Sequence, residues 1–147
     1  MESYIVQLDF TAAFNRVSHS GLLFKLKSIG VGGSVLPICT EFLSDCRQGI
    51  VFDGAASEWI PIISGMPQGS VLGPLLFFVY TSEMFEPVEN RIFVYADDST
   101  LLAVVYKAVN RPAVAASISR ELAKIEEWCN YWCMILNPNK TMALAVN

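Results

Sequence analysis

Residues 4–10, Tyr-Ile-Val-Gln-Leu-Asp-Phe, alternate with the two-residue period of a half-buried strand. Val6, Leu8 and Phe10 share one face, and Ile5, Gln7 and Asp9 share the other, so Asp9 ends the predicted strand on its more polar side. The period then lengthens. From His19 to Ile29, Leu22, Leu23, Leu26 and Ile29 recur at helical spacing, and Gly30, Gly32 and Gly33 stop the pattern. A second helix is predicted over Val35 to Leu43. Gly49 to Asp53 and Glu58 to Ile63 read as a short hairpin around Gly54-Ala55-Ala56-Ser57. Gly65-Met66-Pro67-Gln68-Gly69-Ser70 is a loop by its glycines and proline, with Ser70 placed to cap a helix that reaches Met84.

Two apolar runs follow, Arg91-Ile92-Phe93-Val94 and Leu101-Leu102-Ala103-Val104-Val105, joined through Tyr95-Ala96-Asp97-Asp98. They read as the strands of a hairpin with two adjacent acids at its bend. Arg111-Pro112 opens the most regular helix, with Val114, Ile118, Leu122, Ile125, Cys129 and Trp132 on one face. Its charged residues Arg120, Glu121, Lys124 and Glu127 are expected in solvent. Asn137-Pro138-Asn139-Lys140 then turns the chain into a last strand, Thr141 to Val146. There are no repeats or linkers. This order of elements predicts an α+β domain, an antiparallel sheet with helices packed on one face.

Composition narrows the setting. The chain has 147 residues, 53% of them hydrophobic, enough for one domain with a substantial core. No stretch approaches the roughly 18 unbroken apolar residues of a membrane span. The longest apolar run, Val71 to Tyr80, is interrupted by Gly73 and Pro74. Met1-Glu2-Ser3 does not read as a signal peptide, so an intracellular protein is the expectation. Cys39, Cys46, Cys129 and Cys133 lack C-x-x-C spacing and have only His19 as company, which predicts reduced core thiols instead of a zinc set. Ten basic and fourteen acidic residues leave a net charge of −4, which argues against this chain alone gripping nucleic acid.

The two acids at the hairpin bend are therefore the candidate chemistry. Adjacent like charges repel, and a divalent cation with a preference for hard oxygen ligands relieves that cost. If the Asp9 strand neighbours the hairpin, three carboxylates converge on one sheet edge. Such a cluster suits two Mg2+ ions about 4 Å apart acting on the attacking and leaving oxygens of a phosphoryl displacement. His19, in a polar turn, is expected to cap a helix, and Gly30 to Gly33 lack the Lys-Ser/Thr of a P-loop.

Leu8-Asp9-Phe10-Thr11-Ala12-Ala13-Phe14-Asn15-Arg16-Val17, Gly65-Met66-Pro67-Gln68-Gly69-Ser70-Val71-Leu72-Gly73-Pro74-Leu75-Leu76-Phe77 and Tyr95-Ala96-Asp97-Asp98, in this order, resemble the palm motifs of reverse transcriptases. The similarity is to non-LTR retrotransposons of the jockey-like kind. Arg47-Gln48-Gly49 with Ser57, and Leu136-Asn137-Pro138-Asn139-Lys140-Thr141, extend it over nearly the whole chain. The resemblance implies an RNA-directed DNA polymerase palm that uses an RNA template, a DNA primer, deoxynucleoside triphosphates and two Mg2+ ions, with Mn2+ able to substitute. It implies Asp9 and Asp97 as metal ligands, Asp98 assisting, and the Phe10 carbonyl as an extra ligand. Phe14 matches the aromatic gate that leaves no room for a 2′-hydroxyl. Pro67, Gln68 and Gly69 match the loop against nucleotide and template, and Lys140 matches a proton donor to pyrophosphate.

Two departures follow from the same resemblance. Asn15 stands where the family usually has Asp, and the fingers and thumb that flank a palm are expected to be absent from residues 1–147. A non-catalytic palm remnant, truncated or domesticated, is thus the rival reading. An RNA-templated RNA polymerase palm is disfavoured by Phe14, where those enzymes tend to carry an acid.

Overall fold

The computed structural model describes residues 2–67 and 69–146. Its elements in chain order are β1 (Glu2–Leu8), α1 (His19–Ser28), α2 (Val35–Leu43), β2 (Arg47–Gln48), β3 (Val51–Phe52), β4 (Ala55–Ala56), β5 (Ile60–Pro61), α3 (Leu72–Thr81), β6 (Arg91–Tyr95), β7 (Asp98–Val105), α4 (Arg111–Tyr131) and β8 (Met142–Val146). They group into two compact units, Met1–Ala13 with Thr81–Asn147, and Phe14–Tyr80.

The first unit is a four-stranded antiparallel sheet in the order β6-β7-β1-β8. β1 lies inside it, with Val6 opposite Leu101 on one side and Ala143 on the other. The pleat sorts side chains as the alternation predicts. Val6 and Leu8 of β1, and Leu101, Ala103 and Val105 of β7, are buried, and α4 packs against β7 and buries Ile118, Ile125 and Cys129. Each such leucine contributes about 1.5–3 kcal/mol by leaving water. Leu101→Ala is therefore expected to cost about 3 kcal/mol in a denaturant titration. At the edge of the unit, the Arg111 guanidinium donates to both oxygens of Glu2, Nε to Oε2 at 2.6 Å, and this bond holds the Glu2 carboxyl below its usual range.

β1 ends at Leu8, one residue short of Asp9, because a different partner takes over there. The Asp9 carbonyl accepts from the Asn137 N–H at 2.8 Å, and the Thr11 N–H donates to Ile135, so Phe10 bridges Leu136. Glu121 departs from its expected place in solvent. It is 2% exposed, and its Oε1 accepts from the backbone of Glu89 and Asn90 and from Asn90 Nδ2. Glu121 lies one turn before Ile125 and one after Ile118, so the helical period carries it onto the buried face.

The second unit packs α1 on α2. Its buried residues include Leu22, Leu26, Cys39 and Leu43, with Leu76, Phe77 and Tyr80 of α3. Ser18 caps α1 by accepting from Gly21 N–H at 3.2 Å. Gly30, at φ +86°, ends it: Gly30 N–H bonds Lys27 and Val31 N–H bonds Leu26, a Schellman closure. Ile29, expected in the core, is 57% exposed, whereas Lys25 is 2% exposed with its ammonium 5.7 Å from the Tyr80 ring centre. A cation over an aromatic face lets a lysine occupy an apolar position. The hairpin is tighter than predicted. Asp53 and Gly54, both at positive φ, form its turn, so Ala55 and Ala56 are strand residues.

No disulfide links the cysteines. Burial pushes the Cys129 thiol up to about 12, while Cys133 is exposed. Alkylation at pH 8 is expected to label Cys133 and spare Cys129 in the folded protein, read by peptide mass analysis.

Candidate active site

Asp97 and Asp98 owe their position to a hairpin turn. Tyr95 pairs with Asp98, leaving Ala96 and Asp97 as its two central residues. Ala96 has φ +54°, whereas Asp97 is not at positive φ, the pattern of a type II′ turn, whose first position favours glycine. An alanine held there costs about 1–2 kcal/mol. The hairpin thus carries local strain at the residue before its acids.

Sheet register brings Asp9 to this turn. Leu8, the last residue of β1, lies opposite Ser99, so Asp9 and Asp98 are the residues next to that last pair. Ser99 is buried with Leu8, which puts Asp98 and Asp9 together on the other face. Asp9 and Asp97 are half-buried and Asp98 is exposed. Facing like charges across a strand pair are destabilising. A cation answers them: Lys140 Nζ is 4.0 Å from Asp9 Oδ2.

Lys140 is held there by Asn137, which sequence reading did not single out as a site residue. Asn137 N–H donates to the Asp9 carbonyl, its own carbonyl accepts from Lys140 and Thr141, and its Oδ1 accepts from Asn139 N–H at 3.1 Å. Asn-Pro-Asn is turn chemistry, and that was the available signal. Phe10, beside Asp9, is buried, and the hydrogen bonds of its bridge to Leu136 are made by Asp9 and Thr11.

The donor set suits a hard divalent cation. Among the described residues no group of three or more His, Cys, Asp and Glu is gathered as a metal cage. Mg2+ does not require one, since it is usually bound by one or two carboxylates with water and substrate phosphates completing the shell. Asp9 and Asp98 on one face, with Asp97 in the adjoining turn, fit that requirement.

The second unit carries the remaining candidates. Phe14 stacks on Phe77, ring centres 4.3 Å apart at 18°. Its carbonyl accepts from Met66 N–H at 3.0 Å, and Gly65 N–H donates to Val17 at 2.8 Å, so the loop before Pro67 is stitched to the Phe14 segment. His19 adds a stitch of its own, Nε2 lying 2.7 Å from the Gly65 carbonyl. Its role is thus a tie across the chain, 46 residues away, beyond a helix cap. Ser70 donates to the Pro67 carbonyl at 2.8 Å and accepts from Gly73 N–H at 3.0 Å, which makes it the cap of α3. Gly69 is exposed at φ +78°, and Gln68 lies outside the described residues. A cleft of about 900 Å³ opens beside this loop, lined by Asn15, Arg47, Gln48, Ile60, Gly65 and Pro67 among others.

The reverse transcriptase (RNA-dependent DNA polymerase) family model matches residues 1–146. The RNA-directed DNA polymerase from mobile element jockey of Drosophila melanogaster is 35% identical over 141 residues, covering 90% of this chain and 15% of that protein. The probable RNA-directed DNA polymerase from transposon BS of the same species is 31% identical over 145 residues, 93% of this chain and 16% of that protein. The chain thus spans about one sixth of the length of these curated relatives. Among solved structures, apo telomerase of Candida tropicalis, truncated from its C-terminal domain, superposes with a TM-score of 0.71 at 12% identity, over 98% of this chain and 31% of that one, which is a likeness of fold. Among the described residues no helix is long and apolar enough to cross a membrane. With a family model matched from one end to the other and relatives above 30% identity, the chain belongs to the reverse transcriptase family.

Proposed function

We propose that residues 1–147 are the palm segment of an RNA-directed DNA polymerase that adds deoxynucleotides to a DNA primer 3′-hydroxyl on an RNA template. The observation that carries this reading is that Asp9 and Asp98 adjoin the last pair of the β1–β7 ladder, Leu8 and Ser99, next to the strained turn of Asp97, with Lys140 at 4.0 Å from Asp9. Asp9, Asp97 and Asp98 would hold two Mg2+ ions, or Mn2+ in their place, and the Phe10 carbonyl adds a neutral oxygen ligand. Bound there, such ions activate the primer hydroxyl and neutralise the leaving pyrophosphate. Lys140, a cation poised at the same cluster, donates the proton that pyrophosphate takes up. Phe14, fixed by its stack on Phe77, lies beneath the incoming sugar and excludes a 2′-hydroxyl. Pro67, Gln68 and Gly69 lie against the nucleotide and template, where glycine permits close backbone approach.

Primer extension on an RNA template tests this reading, with the sequence carried inside the polymerase of the jockey relative so that flanking subdomains are supplied. Deoxynucleotide incorporation supports it. No extension by the intact sequence would favour a non-catalytic palm remnant, the reading that Asn15 supports. In the same assay Phe14→Ala is expected to raise ribonucleotide use relative to deoxynucleotide use by tenfold or more, about 1.4 kcal/mol or above of lost discrimination. Equal use of both by the unmodified sequence would point to an RNA polymerase palm.

A further inference from the structure

β6 delivers Asp97 to the tip of the hairpin, yet little of its own surface fixes its position. Four of its five residues are exposed and only Ile92 is half-buried. It is an edge strand, paired with β7 alone. A strand with no buried face is weakly specified in register, because sliding it exposes nothing new. The strained φ of Ala96 adds a bias toward a looser turn. Something must therefore hold the other end of β6.

Glu121 supplies that hold. Asn90 immediately precedes β6, and the Glu121 carboxylate gathers Glu89 N–H at 3.2 Å, Asn90 N–H at 3.2 Å and Asn90 Nδ2 at 2.8 Å, all on Oε1. One turn along α4, Lys124 Nζ reaches the Pro87 carbonyl at 3.5 Å. Glu121 Oε2 is buried with no hydrogen-bond partner among the described residues. A buried carboxylate with one unmet oxygen is costly to keep. An apolar residue would suit the core position better, unless fixing the chain at residues 89–90 is the function served.

We propose that Glu121 is a positioning residue for Asp97 and Asp98, anchoring the start of β6 on α4 and so setting the register of the hairpin. Its catalytic consequence rests on the reading that these acids hold metal. The anchor itself does not.

The test uses the 147-residue chain. Amide hydrogen exchange is followed by NMR, and Mn2+ binding by calorimetry, for the unmodified chain, Glu121→Leu, Glu121→Gln and Asp97→Asn. Glu121→Leu is expected to speed exchange at residues 89–95 by tenfold or more while β1 and α4 stay protected, and to weaken Mn2+ binding about tenfold. Glu121→Gln, which retains an acceptor oxygen, is expected to recover most of both. Unchanged exchange at 89–95 in Glu121→Leu overturns the proposal. So does Mn2+ affinity equal to that of the unmodified chain when Asp97→Asn has lost it. If the unmodified chain and Asp97→Asn bind no Mn2+ alike, the metal reading fails, and exchange alone decides on the anchor. Should Glu121→Leu not fold, Asn90→Ala removes one donor from outside the helix and is judged by the same two readouts.

Discussion

Asp97→Asn is expected to lower primer extension at least a thousandfold while leaving the melting temperature unchanged or slightly raised. The two halves of this result have one cause. The hairpin places Asp97 in a two-residue turn beside Asp98, and the register ends at Leu8 and Ser99, the neighbours of Asp9 and Asp98. Like charges this close oppose folding, so neutralising one relieves the fold. If the same charge holds a metal at the reacting phosphate, removing it forfeits about 4 kcal/mol of transition-state stabilisation, which is a thousandfold in rate. A structural acid would show the reverse pairing, lost stability with retained rate. Steady-state extension by the sequence within the jockey relative's polymerase, alongside calorimetric melting of the chain, separates the two. Activity within tenfold of the unmodified sequence would remove Asp97 from the metal site.

Gly65→Ala is expected to destabilise the second unit by about 3 kcal/mol and to loosen the Pro67 loop. Two independent penalties combine. Gly65 has φ +92°, a conformation that costs an L-residue about 1–2 kcal/mol. A Cβ there would sit 2.9 Å from Asn15 Cα and 3.0 Å from its carbonyl oxygen. Backbone cannot swing aside as a side-chain tip can, so overpacking adds about 1–3 kcal/mol. Relief would require parting the bonds from Gly65 to Val17 and from Met66 to Phe14. Denaturant unfolding measures the loss. Gly69→Ala serves as the comparison, since among the described residues no atom beyond its chain neighbours lies within 4 Å of the added carbon, and the φ penalty is what remains.

What could be read from the sequence was what local periodicity encodes. The alternation from Tyr4 to Leu8, the apolar spacing of α1 and α4, and the bounds of α2 at Val35 and Leu43 each depend on neighbours within a few turns. The candidate acids were legible because Asp97-Asp98 interrupts an apolar hairpin and Asp9 ends a strand. Features set by distant partners were not. Glu121 reads as a surface acid until Asn90 reaches it, and nothing local signals the burial of Lys25 over Tyr80. His19 reads as a cap, because nothing local signals its tie to Gly65. The Asp53-Gly54 turn differs, because its signal is local. Asp-Gly is a strong local signal for a two-residue hairpin, and it outweighs the low strand propensity of the two alanines that follow it.

The inner place of β1 bears on how the chain is made. Val6 is synthesised well before its neighbours in the sheet, Leu101 and Ala143. At about 5–20 residues per second, the ribosome leaves β1 without its second partner for roughly ten seconds or more. Until β7 emerges, both hydrogen-bonding edges of this apolar strand are open to other nascent chains, and one edge stays open until β8 follows. Yield of native protein therefore depends on what shelters β1 during translation, and added chaperone or cooler synthesis is expected to raise it.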